Sequence, residues 1–211
     1  MASEQSFRTR LLNRAGWEIS KINDRFQDWR LGIDTIDRLR STHEADLRSK
    51  FRPNEGTSYR ALNLIARSFV VRDDDALVDI GCGFGRAICY FAYRGAGRKF
   101  VGIELRPDDA EQARRNASKI DGVPISIITG DATEQQYSDA SAFYIYNPFD
   151  GEVMRRTLAR IHAQQTRDIR ICYVNPVERS IFEAAGWLEQ VHSSFVPYRS
   201  GKTEVTIWHS R

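Results

Sequence analysis

The 211-residue sequence holds only three cysteines, Cys82, Cys89 and Cys172, and no C-x-x-C spacing. An odd, unpaired count predicts neither a disulfide framework nor a zinc site, and it fits a reducing, cytoplasmic setting. Histidine is also scarce. His43, His162, His192 and His209 lie far apart without ligand spacing, so no metal is expected. No segment approaches the roughly 18 consecutive apolar residues of a membrane helix. Met1 to Arg14 also lacks the apolar core of a secretory signal, so a soluble chain is expected. Charge of one sign is missing too: 31 Lys and Arg stand against 28 Asp and Glu, a net charge of +3. Residues 1–60 hold twelve bases and nine acids, so the whole excess is N-terminal and interleaved with acids. That pattern argues against a nucleic-acid partner, which would want a clustered basic stripe.

What is present begins at Leu77-Val78-Asp79-Ile80-Gly81-Cys82-Gly83-Phe84-Gly85-Arg86, an apolar strand ending in an acid and followed by three glycines at alternate positions. Residues without a Cβ let a chain turn sharply and approach a ligand closely, and a helix from Ala87 to Tyr93 would aim its amide end at that ligand. The dinucleotide fingerprint G-x-G-x-x-G would place its third glycine where Arg86 stands, so the pattern is G-x-G-x-G and disfavours a nicotinamide cofactor. Phe100-Val101-Gly102-Ile103-Glu104 reads as a second strand, with an acid about 20 residues beyond the cradle, where a carboxylate could take both hydroxyls of a ribose. Strands at Ile125–Thr129 and Ala142–Tyr146 run into Gly130-Asp131-Ala132 and Asn147-Pro148-Phe149-Asp150. In an open parallel sheet these strand ends share one edge, so all four stations converge on one crevice.

These motifs resemble, in order and spacing, those of the class I, seven-strand S-adenosylmethionine-dependent methyltransferases over residues 57–211. Leu31-Gly32-Ile33-Asp34-Thr35, Tyr144-Ile145-Tyr146-Asn147-Pro148-Phe149-Asp150 and Tyr173-Val174-Asn175-Pro176 are similar to a group of small bacterial methyltransferases with a YNPFD motif, distantly like non-SET protein-lysine methyltransferases. The resemblance implies a three-layer, doubly wound α/β fold with strand order 3-2-1-4-5-7-6 and an antiparallel C-terminal hairpin. S-adenosyl-L-methionine is the implied methyl donor, without a metal. Tyr59, Asp79, Gly81, Cys82, Gly83, Gly85, Glu104, Leu105, Asp131, Ala132 and Asn147 are the implied cofactor residues. Asn147, Pro148, Phe149 and Asp150 are the implied catalytic ones. The implied acceptor is a protein lysine or a small-molecule amine.

Organisation is expected as an N-terminal helical extension or lid, residues 1–56, on a methyltransferase domain, residues 57–211. Ile19, Ile22, Phe26, Trp29, Ile33 and Ile36 form a one-sided helical stripe, expected to pack on the catalytic domain rather than to dimerise, with monomer and homodimer both open. Pro53 to Thr57 is the expected hinge. Helices are expected at Ser58–Phe69, Asp108–Ile120, Gly151–Ala163 and Val177–Ala185, and a fifth strand at Asp168–Val174. Leu188–Val196 and Thr203–His209 flank a turn and read as a hairpin.

Methyl transfer neutralises charge, so alignment of acceptor and methyl, worth about 7–11 kcal/mol, outranks acid–base power. Asn147 offers an amide oxygen to an attacking nitrogen and Pro148 a free carbonyl, while Phe149 can stack. The same four residues could equally be a turn that caps the next helix. A lysine acceptor would first have to lose a proton, at a cost of about 4.6 kcal/mol at pH 7. Asp150, Tyr146, Tyr144 and Glu178 are the nearby groups for that task. A non-catalytic S-adenosylmethionine-binding or scaffold protein of the same fold, and a nicotinamide-linked Rossmann enzyme, are the alternatives.

Overall fold

A computed structural model describes residues 18–36, 56–95, 97–198 and 201–211. The expected hinge falls mostly outside the described residues. Five strands whose sequences are nearly unbroken apolar runs, the mark of a sheet covered on both faces, lie parallel: β1 (Ala76–Ile80), β2 (Lys99–Glu104), β3 (Ile125–Thr129), β4 (Ala142–Tyr146) and β5 (Arg170–Val174). The C-terminal hairpin adds β6 (Leu188–Tyr198) and β7 (Gly201–Ser210), with β7 antiparallel to β5. The seven strands run in the order 3-2-1-4-5-7-6, as expected.

Helices cover both faces. On one, α2 (Tyr59–Ser68) and α3 (Arg86–Tyr93) bury Leu62, Ile65, Ile88 and Phe91 against Tyr144 and Cys172. On the other, α5 (Gly151–Ala163) and α6 (Arg179–Ala184) bury Met154, Leu158, Ile161 and Phe182 against Phe143, Ile145 and Tyr173. The period-2 alternation of β4 sends Tyr144 to the first core and Phe143 and Ile145 to the second. α4 (Pro107–Ala117) crosses between β2 and β3, opened by a proline at its first turn.

The N-terminal helix, residues 18–31 (α1), corrects the expectation for its apolar stripe. Ile19, Ile22, Phe26 and Trp29 face solvent, with Trp29 74% exposed, while Asp28 is buried and Asp24 largely so. The reason is electrostatic. Arg86, at the start of α3, reaches back to Asp28 at 3.3 Å and Asp24 at 3.4 Å and donates to the Thr35 hydroxyl at 2.6 Å. Tyr59 donates its hydroxyl to Asp28 at 2.6 Å, and its backbone amide donates to Asp24 at 2.9 Å. These partners seat the acidic face of α1 on the domain, and the apolar face is left outward. Only Leu31 and Ile33, past the stripe's middle, join the core.

Candidate active site

The turn after β1 is built from glycines in conformations that other residues avoid: Gly81, Gly83 and Gly85 have φ of 76°, 53° and 82°. The amides of Gly81 and Cys82 both donate to the Ile103 carbonyl, at 2.9 and 3.0 Å, which ties the cradle to β2. A Cβ on Gly81 would lie 2.5 Å from the Pro148 Cβ, so the cradle and the Asn147-Pro148 turn touch directly. Gly85 caps α3 and packs near Ala113 without lining the cavity. The backbone of Gly102 makes room for the next neighbour: a Cβ there would lie 2.8 Å from the Cys82 sulfur.

A cavity of about 290 Å³ opens along the carboxyl ends of the strands. On the β1–β3 half it is lined by Asp79, Gly81, Cys82 and Gly83, then Glu104 and Leu105, then Asp131 and Ala132. The Glu104 carboxylate accepts from the Gly83 amide at 2.9 Å and the Arg106 amide at 3.0 Å, which fixes its orientation. Asp131 caps a short 3₁₀ turn by accepting from the Thr133 amide at 2.8 Å. Asp79 is buried and accepts from the Ile88 backbone amide, yet its Oδ2 has no partner. Burial pushes its carboxyl up to about 8, against the Ile88 hydrogen bond and with a further rise from the Glu104 charge. Burial also drives the Cys82 thiol well above its ordinary value, so it is no nucleophile at neutral pH.

On the β4–β7 half the lining comes from Tyr144, Tyr146, Asn147, Pro148 and Phe149, joined by Asn175 after β5 and Tyr198 at the end of β6. Asn147 and Asn175 both have left-handed φ, 36° and 52°, and each precedes a proline, a pairing that costs backbone energy and persists only where the surroundings impose it. The Tyr173 hydroxyl donates to Asn147 Oδ1 at 3.4 Å and accepts from the Glu178 amide at 3.1 Å, orienting the carboxamide. The Tyr144 hydroxyl bonds the Thr57 hydroxyl at 2.6 Å.

Besides Gly85, two further residues expected at the site do not line it. Tyr59 does not line the cavity; its hydroxyl holds Asp28 and its ring lies under Arg86, 5.4 Å from the guanidinium carbon. Asp150 does not line it either: its carboxylate caps α5, accepting from the Glu152 and Val153 amides at 3.1 and 3.0 Å. The helix-cap reading of Asn-Pro-Phe-Asp therefore holds for its last residue. The sequence reading missed Thr35, Arg86, Asn175 and Tyr198 as lining residues. Asn175 carried a signal, the repeat of Asn-Pro at the end of the neighbouring strand, and Thr35 closes the Leu31–Thr35 segment on which the resemblance partly rested. Tyr59→Phe should lower stability by about 1–3 kcal/mol, because buried Asp28 loses a donor, while leaving ligand affinity in the cavity within twofold. A urea melt and a binding isotherm on one preparation check both halves.

A parallel five-strand core closed by an antiparallel hairpin, with a glycine cradle after β1 and an acid at the end of β2, is the class I methyltransferase fold. Residues 77–167 match the model of the methyltransferase-domain family. Among solved structures, an RNA methyltransferase from Salinibacter ruber in complex with S-adenosyl-L-homocysteine aligns over 74% of this chain and 94% of its own, with TM-score 0.59 and 23% identity. The Bacillus subtilis m1A22 tRNA methyltransferase TrmK aligns over 75% and 68%, with TM-score 0.61 and 17% identity. A precorrin 8W decarboxylase from Methanobacterium thermoautotrophicum aligns over 75% and 92%, with TM-score 0.54 and 18% identity. At these identities the likeness is one of fold. No curated protein matches the chain by sequence. Among the described residues no helix is long and apolar enough to cross a membrane, and no cluster of metal-ligating side chains occurs.

Proposed function

We propose that the protein is an S-adenosylmethionine-dependent methyltransferase that methylates an amino group on a protein side chain or a small molecule. The carrying observation is the unpartnered Oδ2 of buried Asp79 beside the glycine cradle. A buried polar atom without a partner is costly and calls for a donor, and the ammonium of the methionine moiety is such a donor. Glu104 would hold the ribose, Asp131 and Ala132 the adenine, and Gly81 to Gly83 the methionine chain. When bound, S-adenosylmethionine supplies an electrophilic methyl group on a sulfonium. The chain's part is placement: Asn147, steadied by Tyr173, and the Pro148 carbonyl accept hydrogen bonds from the acceptor nitrogen, and Phe149 shields the reacting centre from water. Segment 18–36, through Thr35, would serve as the cover that excludes solvent. The names of the RNA and tRNA methyltransferases among the structural neighbours favour a second reading, a nitrogen on a nucleobase.

Calorimetry tests the donor site. S-adenosylhomocysteine should bind and NAD should not. Because the free Asp79 carboxyl titrates near 8, an ammonium placed beside it must expel the proton below that pH. Affinity should therefore rise with pH between 6 and 7.5, by up to tenfold per unit. The apparent enthalpy should also differ between buffers of high and low ionisation enthalpy. A flat profile with no proton release removes Asp79 as the ammonium's partner.

A further inference from the structure

The two halves of the cavity differ in chemistry. Among the described residues, all three lining carboxylates, Asp79, Glu104 and Asp131, stand at the ends of β1, β2 and β3. The ends of β4 and β5 and the hairpin contribute amides and phenols: Asn147, Asn175, Tyr144, Tyr146 and Tyr198. Tyr146 and Tyr198 meet edge to face with ring centroids 6.3 Å apart. Burial, and then the neighbouring Tyr198, hold the Tyr146 hydroxyl far above its ordinary range, and burial does the same to Tyr144. Neither phenol is a base at neutral pH. Asp150 is engaged as a helix cap, and Glu178 lies outside the lining.

Resting on the methyltransferase reading above, we propose that the space between the two asparagine turns and the Tyr146–Tyr198 pair receives a flat, uncharged nitrogen group, either a carboxamide or an amino-substituted heteroaromatic base. Asn175 and Tyr198 are its positioning residues. Tyrosine faces attract cations as well as flat rings, but an alkylammonium has no lone pair to attack with. Only about one aliphatic amine in 2,500 is neutral at pH 7, and among the described residues this half of the cavity carries amides and phenols but no carboxylate. A carboxamide or aromatic amine arrives neutral, and its planar N–H donors match the acceptor oxygens of two carboxamides and a proline carbonyl. Transfer then forms one nitrogen–carbon bond and breaks the sulfur–carbon bond. The sulfonium becomes a neutral thioether, and one N–H proton leaves to water.

The test uses the full chain, methyl-labelled S-adenosylmethionine and three fractions of source-cell lysate: protein, nucleic acid and small metabolites. Each is digested enzymatically and the labelled species identified by mass spectrometry. Label on a side-chain carboxamide or on the exocyclic amino nitrogen of a nucleobase supports the proposal and separates its two sources, whereas label on a ring nitrogen overturns it. Label on lysine, another aliphatic amine, oxygen or carbon overturns it, as does no labelled product from a protein that binds S-adenosylhomocysteine. Failure to bind S-adenosylhomocysteine would instead remove the underlying methyltransferase reading. With the labelled acceptor, Asn175→Gly, which keeps a left-handed turn open, and Tyr198→Ala should each cut transfer at least tenfold while S-adenosylhomocysteine affinity stays within twofold. Tyr198→Phe should restore transfer to within threefold, and with S-adenosylmethionine held saturating at every pH the rate should be level from pH 6.5 to 8.5. A rate that climbs tenfold per pH unit, or variants that transfer at the parent rate, refute it.

Discussion

Gly81→Ala should abolish both donor binding and methyl transfer, lowering S-adenosylhomocysteine affinity by more than about 100-fold, equivalent to about 2.7 kcal/mol. Two effects combine. The φ of 76° is unfavourable for any side chain, and the added methyl would lie 2.5 Å from the Pro148 Cβ, so the cradle and the Asn147-Pro148 turn cannot both keep their places. The matched control is Gly186→Ala, where a Cβ meets nothing within 4 Å. Isothermal titration of the two variants decides it: equal affinities would mean that the Gly81–Pro148 contact does not shape the site.

Arg86→Met should destabilise the docking of residues 18–36 by about 3–5 kcal/mol, because it leaves buried acids without their counter-ion. Burial already raises the Asp24 carboxyl, and Arg86 is the group that most opposes the rise. An acid whose folded pKa lies above its unfolded value contributes fully below the unfolded pKa, and that contribution is lost as pH climbs through the folded one. Without Arg86 the folded pKa rises further, so the deficit of the variant should deepen between pH 5 and 8. Hydrogen exchange of amides 24–35 against those of β1 and β4 reads the loss locally, and thermal melts at three pH values read its sign. A variant with parental protection at pH 8 would show that the ion cluster is not what seats α1.

The sheet was legible because its signals are local. Leu77–Ile80 and Ala142–Tyr146 are apolar runs bounded by turn residues, and α5 begins and ends where the Gly151–Ala163 periodicity placed it. The cavity lining on the β1–β3 half was legible for the same reason: each station directly follows its own strand. What escaped depends on partners far along the chain. The inward face of α1 is chosen by Arg86, 58 residues beyond Asp28; a periodicity argument assumes that the apolar face turns inward, and here a buried ion cluster outweighs it. Tyr59 was placed over the cofactor pocket because nothing nearby in sequence shows that its hydroxyl belongs to Asp28, 31 residues earlier. Asp150 follows an Asn-Pro turn and precedes a helix, and either role suits an aspartate there. Tyr198 enters the site only because β7 pairs with β5 and carries the end of β6 toward β4.

The sheet order has a consequence for how such a protein can diverge. The stations after β1, β2 and β3 sit on one side of the β1–β4 boundary, and the asparagine turns and the hairpin sit on the other. Gly81 against Pro148 is the seam between them. Mutations drifting through the hairpin or the turn after β5 can redraw one half without disturbing the other, so descendants of this chain could reshape the β4–β7 half while inheriting the β1–β3 half unaltered. At the seam itself neither half can drift alone.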